Sequence, residues 1–149
     1  MPSHARHDRQ AIHNEELLHL LKDQNLTKEF SDWFVTVAFY SGVHLFESFL
    51  AKYNKTLLVD RVKIECDHSD KLCRFYNTNS GHHVRKRLML DNKNIFKDIY
   101  NPYQNLYEMS RVARYDCNAP YEHSYGYSEF YLNEVKTGFK KLLKSKRKK

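Results

Sequence analysis

Glycine and proline are scarce in this chain of 149 residues, at four and three. With 41% hydrophobic residues, that scarcity excludes a disordered or low-complexity polymer and points to a compact, helix-rich single domain. Cysteine is scarce as well. Cys66, Cys73 and Cys117 are an odd set in no dense framework, so the expectation is a reducing, cytoplasmic setting and no disulfide scaffold. The opening PSHARHDRQ is polar and charged, so no signal peptide is expected there. Acidic residues are missing from the last ten positions, KKLLKSKRKK, where seven cations match the formal net charge of +7. The body is therefore near neutral, and the basic pI says little about a nucleic-acid surface on the fold itself. The tail at 140–149 suits RNA, DNA, an acidic membrane face or an import receptor. It equally suits a solvated, frayed helix end whose lysines complement the helix dipole.

Against these absences stands one long apolar stretch, DWFVTVAFYSGVHLFESFLAKY at 32–53. Between Trp33 and Ala51 its only formal charge is Glu47. Phe34, Ala38, Leu45 and Phe49 form a helical stripe that Trp33, Val37, Tyr40 and Leu50 widen, which places this helix at the centre of a bundle. A membrane span is not expected, because His44, Glu47, Thr36 and the serines make insertion costly. Tyr40, Ser41, His44, Glu47 and Ser48 form a polar seam on the same cylinder. Buried polar groups need partners, so imidazoles and guanidiniums from neighbouring helices are expected to meet this seam.

A first helix is read at 4–23, with Ile12, Glu16, His19 and Leu20 forming a mixed inward stripe beside Leu17 and Leu21, and an exit at 25–28. Ser31 or Asp32 is a suitable N-cap for the central helix. The segment 54–80 reads as an insertion, with a short alternating run at 58–64 that is either a strand or a partly ordered crossover. NTNSG at 77–81 breaks the chain. A third helix is expected from about His82, with Val84, Leu88, Ile95 and Ile99 at helical spacing. Pro102 suits the first position of a fourth, whose Tyr103, Tyr107, Arg111 and Arg114 make a Tyr/Arg ladder. DCNAPYEHSYGY is read as a loop punctuated by Pro120 and Gly126, and Ser128 as the cap of a last helix at 129–144. The expected fold class is all-α: an antiparallel up-and-down four-helix bundle, an additional N-terminal helix and an inserted loop segment at 54–80.

Cys66, His68 and Cys73, with Cys117 and His123 further on, are the residue types that ligate zinc. CDHSDKLC matches no standard pair-of-pairs spacing, so an ordinary polar loop is expected instead of a metal site, and no cofactor is assigned.

The order of DWFVTVAFYSGVHLFESFLA, GHHVRKR and YQNLYEMSRVARYDC, over roughly 30–145, resembles small prokaryote-type HEPN-like helical-bundle proteins. The resemblance implies an antiparallel four-helix bundle, often a homodimer. It also implies a nucleotide- or RNA-related role, as a metal-independent ribonuclease, a toxin or a non-catalytic partner of a nucleotidyltransferase. In catalytic members an Arg is followed after four to six residues by a His, the imidazole moving a proton at the ribose 2′-OH and the guanidinium stabilising the phosphorane. Arg6 with His13 and Arg61 with His68 have that spacing but lie outside the later helices. Arg111 and Arg114 have no His before His123. By matched position the catalytic candidates are His44, His82 and Arg111, and the binding candidates are Arg85, Arg114, Tyr40, Tyr107 and Tyr115. Expected partners are a second copy of the chain, RNA or a nucleotide, or another protein. The rival expectation is a non-catalytic dimerisation or protein-interaction bundle.

Overall fold

A computed structural model describes residues 3–59, 61–116 and 124–148 and is predominantly helical. Helix α1 spans His4–Asp23, α2 Ser31–Tyr53, α3 Gly81–Asp91, the short α4 Lys93–Phe96, α5 Tyr100–Tyr115 and α6 Ser124–Arg147. A two-stranded antiparallel hairpin, β1 Leu58–Val59 and β2 Val62–Lys63, pairs Leu58 with Lys63 and Val59 with Val62. Helix α2 packs against α1, α5 and α6, and α5 packs against α6. Phe34, Ala38, Phe39, Phe46, Phe49 and Leu50 of α2 are all buried, so the long apolar stretch is the centre of the core. By length and composition α2 could also cross a membrane, but 67% of its most apolar window is buried within the fold.

Several expectations are corrected. Trp33 is 62% exposed and lies off the buried arc of α2, although its neighbour Phe34 is fully enclosed. On α1 the inward face is His7, Ala11 and Leu18, whereas Ile12, Leu17 and Leu20 face solvent. Only one narrow arc of α1 meets α2, and spacing decided which arc it is. The exit from α1 lies where expected: Asn25 takes a left-handed φ of 56°, and the Leu26 N–H reaches back to the Leu21 carbonyl at 2.8 Å.

The segment 54–80 is built into the core. Leu57, Val59, Cys66 and Leu72 are buried, and short 3-10 turns occupy Asn54–Thr56 and Ser69–Leu72. Asn92 clamps its start, accepting from the Leu58 N–H and donating to the Leu58 carbonyl, both at 2.8 Å. That clamp also explains why the third helix does not run on to Ile99. Asn92, at φ −119° and ψ 44°, leaves the helical conformation, and its side chain serves β1. Ser80 caps α3 by accepting from the His83 N–H.

Pro102 lies inside the first turn of α5, where a missing N–H costs nothing. The last helix is longer at both ends than 129–144. Gly126 lies within it, and Ser128 is a buried interior residue donating to the Tyr125 carbonyl at 2.7 Å, so it is no cap. The basic tail is helical through Arg147. Pro120, and most of the expected loop around it, lie outside the described residues.

Candidate functional site

The polar seam of α2 meets three groups of partners, linked to one another through Arg85 and His68. The deepest belongs to Glu47, 1% exposed. Its Oε1 accepts from Arg85 Nη1 at 2.7 Å and from the Ser69 hydroxyl, and its Oε2 accepts from the Ser69 N–H at 3.0 Å. Arg85, itself buried, also donates Nε to the Tyr103 hydroxyl at 2.9 Å and Nη1 to Ser69 Oγ at 2.9 Å. One carboxylate and one guanidinium thus neutralise each other, with donors and acceptors from α2, the 54–80 segment, α3 and α5 filling their remaining valences. Such a pair fixes the relation of four chain segments, and removing either partner strands a buried charge.

The remaining Arg85 nitrogen, Nη2, lies 2.7 Å from His82 Nδ1. A guanidinium only donates, so Nδ1 is the acceptor and the neutral His82 ring carries its proton on Nε2. Burial, then Arg85, then Arg114 push the His82 imidazole down to about 4, so it is neutral at physiological pH. The ring is held among Phe39, Tyr40 and Tyr107, with centroids 5.1, 6.3 and 5.4 Å away.

His82 also lines a solvent-open cleft of about 530 Å³ with Tyr107, Arg111, Val112, Arg114, Tyr115 and Asp116. Spacing on α5 explains the grouping. Tyr107, Arg111 and Arg114 fall three and four residues apart on one face, and Tyr115 follows at the helix end. Arg114 is half-buried. It donates to the Ser110 carbonyl at 3.2 Å and to the Tyr40 hydroxyl at 3.3 Å, and its guanidinium lies over the Tyr40 and Tyr115 rings at 5.8 and 5.2 Å. Arg111 is exposed, with Glu108 as an ion-pair partner at 3.1 Å. The cleft is therefore lined by one half-buried and one exposed guanidinium, a neutral imidazole N–H, two tyrosines and a carboxylate. Phosphate oxygens, a flat aromatic ring and hydroxyl or amino groups are the ligand features that this set can satisfy.

His44 lies elsewhere, beneath α1. Its Nδ1 is 3.0 Å from His7 Nδ1, and the His7 ring is 5.5 Å from that of His68. Burial is the main cause that depresses both His7 and His44 below the ordinary histidine value; His68 then lowers His7 further, and His7 lowers His44. Ser48 donates to Asp8 in the same layer.

Of the eight candidates, His82, Tyr107, Arg111, Arg114 and Tyr115 share the cleft. Tyr40 touches it through Arg114, Arg85 supports it from behind through His82, and His44 is apart from it. His44 and Arg111 do not meet: His44 is paired with His7 and Arg111 with Glu108.

Sequence reasoning missed His7, Ser69 and Asn92 as partners of the seam and clamp. His7 alone had a signal, its helical spacing with Ala11 and Leu18. Ser69 and Asn92 act across long sequence separations that local pattern does not encode. Asp116 at the cleft rim was also missed. Cys66 donates to the His68 carbonyl at 2.9 Å, and among the described residues no group of three or more His, Cys, Asp or Glu side chains is placed to hold a metal. Cys117 and His123 lie outside the described residues. No protein-family model, curated protein or solved structure matches the chain.

Proposed function

We propose that the protein is an HEPN-like helical bundle that binds RNA or nucleotides through the His82–Arg114 cleft. The observation that carries this reading is the convergence of His82, Tyr107, Arg111, Arg114 and Tyr115 on one open hollow. In this reading Arg111 and Arg114 hold a phosphate, Tyr107 or Tyr115 stacks on a base, and His82 Nε2–H donates to an oxygen. The contacts of α2 with α5 and α6, and of α5 with α6, support the four-helix arrangement, with α1 added against α2. Free thiols at Cys66 and Cys73 fit a cytoplasmic setting.

The reading stops at binding. With Nδ1 accepting from Arg85, His82 Nε2 has no lone pair to take a proton from a ribose hydroxyl, and among the described residues no second imidazole lines the cleft. The test is titration of a labelled single-stranded oligonucleotide RNA by fluorescence anisotropy. Replacing Arg111 and Arg114 by Gln is expected to weaken binding at least tenfold while circular dichroism stays unchanged. Wild-type affinity in that variant removes the proposal. RNA cleavage in chelator that disappears in His82→Ala replaces it with the nuclease reading.

A second reading, a homodimerising or protein-interaction bundle, is supported by exposed Trp33, Tyr127 and Phe130, the last two lining a hollow of about 450 Å³. Sedimentation equilibrium decides it. A concentration-dependent dimer abolished by Phe130→Ser supports that reading, and a monomer at all concentrations dismisses the homodimer.

A further inference from the structure

The end of α6 has a feature that the cleft does not use. No acidic residue follows Glu134, whereas Lys140, Lys141, Lys144, Lys146 and Arg147 occupy its last turns. Gly138 brings this helix unusually close to the start of α5, since a Cβ there would lie 2.5 Å from Ile99 Cγ1 and 3.3 Å from the Asp98 carbonyl oxygen. Beside that close approach lies a groove of about 350 Å³, where Lys97 and Asn94 meet Lys141 and Ser145 from α6. The ammonium-bearing Lys97, Lys141 and Lys146, the amide of Asn94 and the Ser145 hydroxyl, which donates to the Leu142 carbonyl, thus line one hollow beside the apolar Ile95 and Leu142, with Asp98 the only carboxylate lining it among the described residues. Lys140, Lys144 and Arg147 continue the positive surface along the exposed side of the helix.

The choice of partner follows from what this end lacks. Among the described residues, none of the large apolar side chains exposed to solvent lies in 93–98 or 131–148. A helix that seats in a lipid surface needs apolar groups to insert, whereas a sugar-phosphate backbone needs only donors and positive charge. We propose that the α4–α6 groove and the cationic end of α6 form a second nucleic-acid surface, which holds the backbone of single-stranded RNA without reading its bases. It is distinct from the cleft. The groove adjoins the start of α5, whereas the cleft is lined from Tyr107 to Asp116, roughly 10–24 Å further along the helix at ~1.5 Å per residue. A strand long enough to cover that distance engages both surfaces, and a mononucleotide engages only the cleft.

The experiment uses the whole chain and a labelled oligouridylate long enough to span both surfaces, titrated by anisotropy over a potassium chloride series. Lys97→Gln/Lys141→Gln/Lys144→Gln is expected to weaken binding and to reduce the slope of log affinity against log salt by about 2, at ~0.7 per phosphate contact on a single strand. The exposed pair Lys140→Glu/Lys144→Glu, which perturbs no core contact, is expected to act in the same direction. Unchanged slope and affinity in both variants overturn the proposal. So does sedimentation with phosphatidylserine vesicles by a protein that leaves the RNA unbound. Failure of the cleft reading has a different signature: Arg111→Gln/Arg114→Gln binds like wild type while the lysine variants still lose their slope.

Discussion

Arg85 bonds to His82 and Arg111 lines the same cleft as His82, yet the two arginines live in opposite physical regimes. Arg85 is 5% exposed and makes hydrogen bonds to Glu47, Ser69, Tyr103 and His82. Arg111 is exposed on α5, with one carboxylate three residues away. At the buried junction every nitrogen of the guanidinium is hydrogen-bonded, so its chemistry is spent on holding α2, α3, α5 and the 54–80 segment together. At the cleft the guanidinium faces solvent, with a single exposed ion pair to Glu108. The difference teaches that identical residue types become structural junctions or solvent-facing charges according to how much water reaches them.

That contrast can be tested by substitution, and the junction should give the largest response. Arg85→Leu leaves Glu47 charged and unpaired in the core, and is expected to cost about 3–5 kcal/mol in urea denaturation. The double variant Arg85→Leu/Glu47→Leu is expected to recover much of that loss. If the double loses as much as the sum of the singles, the two residues are not a coupled pair. Ser69→Ala keeps the backbone N–H to Glu47 but removes the hydroxyl bond to the carboxylate, for an expected loss of about 1.5–3 kcal/mol by the same assay.

Acid should act next. The folded His82 is held at about 4 against 6.5 for the free side chain, so between those values the unfolded chain binds more protons. Stability is therefore full above pH 6.5 and falls as pH drops towards 4. The expected loss is about 1–2 kcal/mol from His82 after discounting for the water that reaches its ring. His7 and His44 add in the same direction. Denaturation midpoints across this range check the slope, and His82→Gln should flatten part of it. A midpoint that rises on acidification contradicts the assigned neutral state.

The smallest structural effect is expected at the cleft. Arg111→Gln should change stability by less than about 0.5 kcal/mol, because its ion pair is exposed. The same variant should weaken RNA binding measurably. A large stability loss there would place Arg111 with Arg85 and erase the contrast.

Much of the fold was legible in local pattern. α1 spans the expected 4–23, α2 differs by one residue at its start, and the Tyr107–Arg111–Arg114 face of α5 follows from spacing alone. Helix three was overextended because Val84, Leu88, Ile95 and Ile99 keep the helical period through Asn92. What breaks the helix is the clamp on Leu58, a contact across 34 residues. The inward arc of α1 was misjudged because Ile12 and Leu20 outrank His7 and Ala11 in hydrophobicity, although the latter two face α2.

By itself, the sequence determined a helical chain around one apolar rod, a body of low net charge with a cationic end, and a Tyr/Arg face on α5. Periodicity and composition act over a few residues and survive without context. Only the tertiary structure decided that Glu47 meets Arg85 and Ser69, that His44 meets His7 and stays away from the cleft, and that His82 presents Nε2–H. Those outcomes depend on which distant groups share one buried volume, and the cost of an unpaired polar atom there selects the partners.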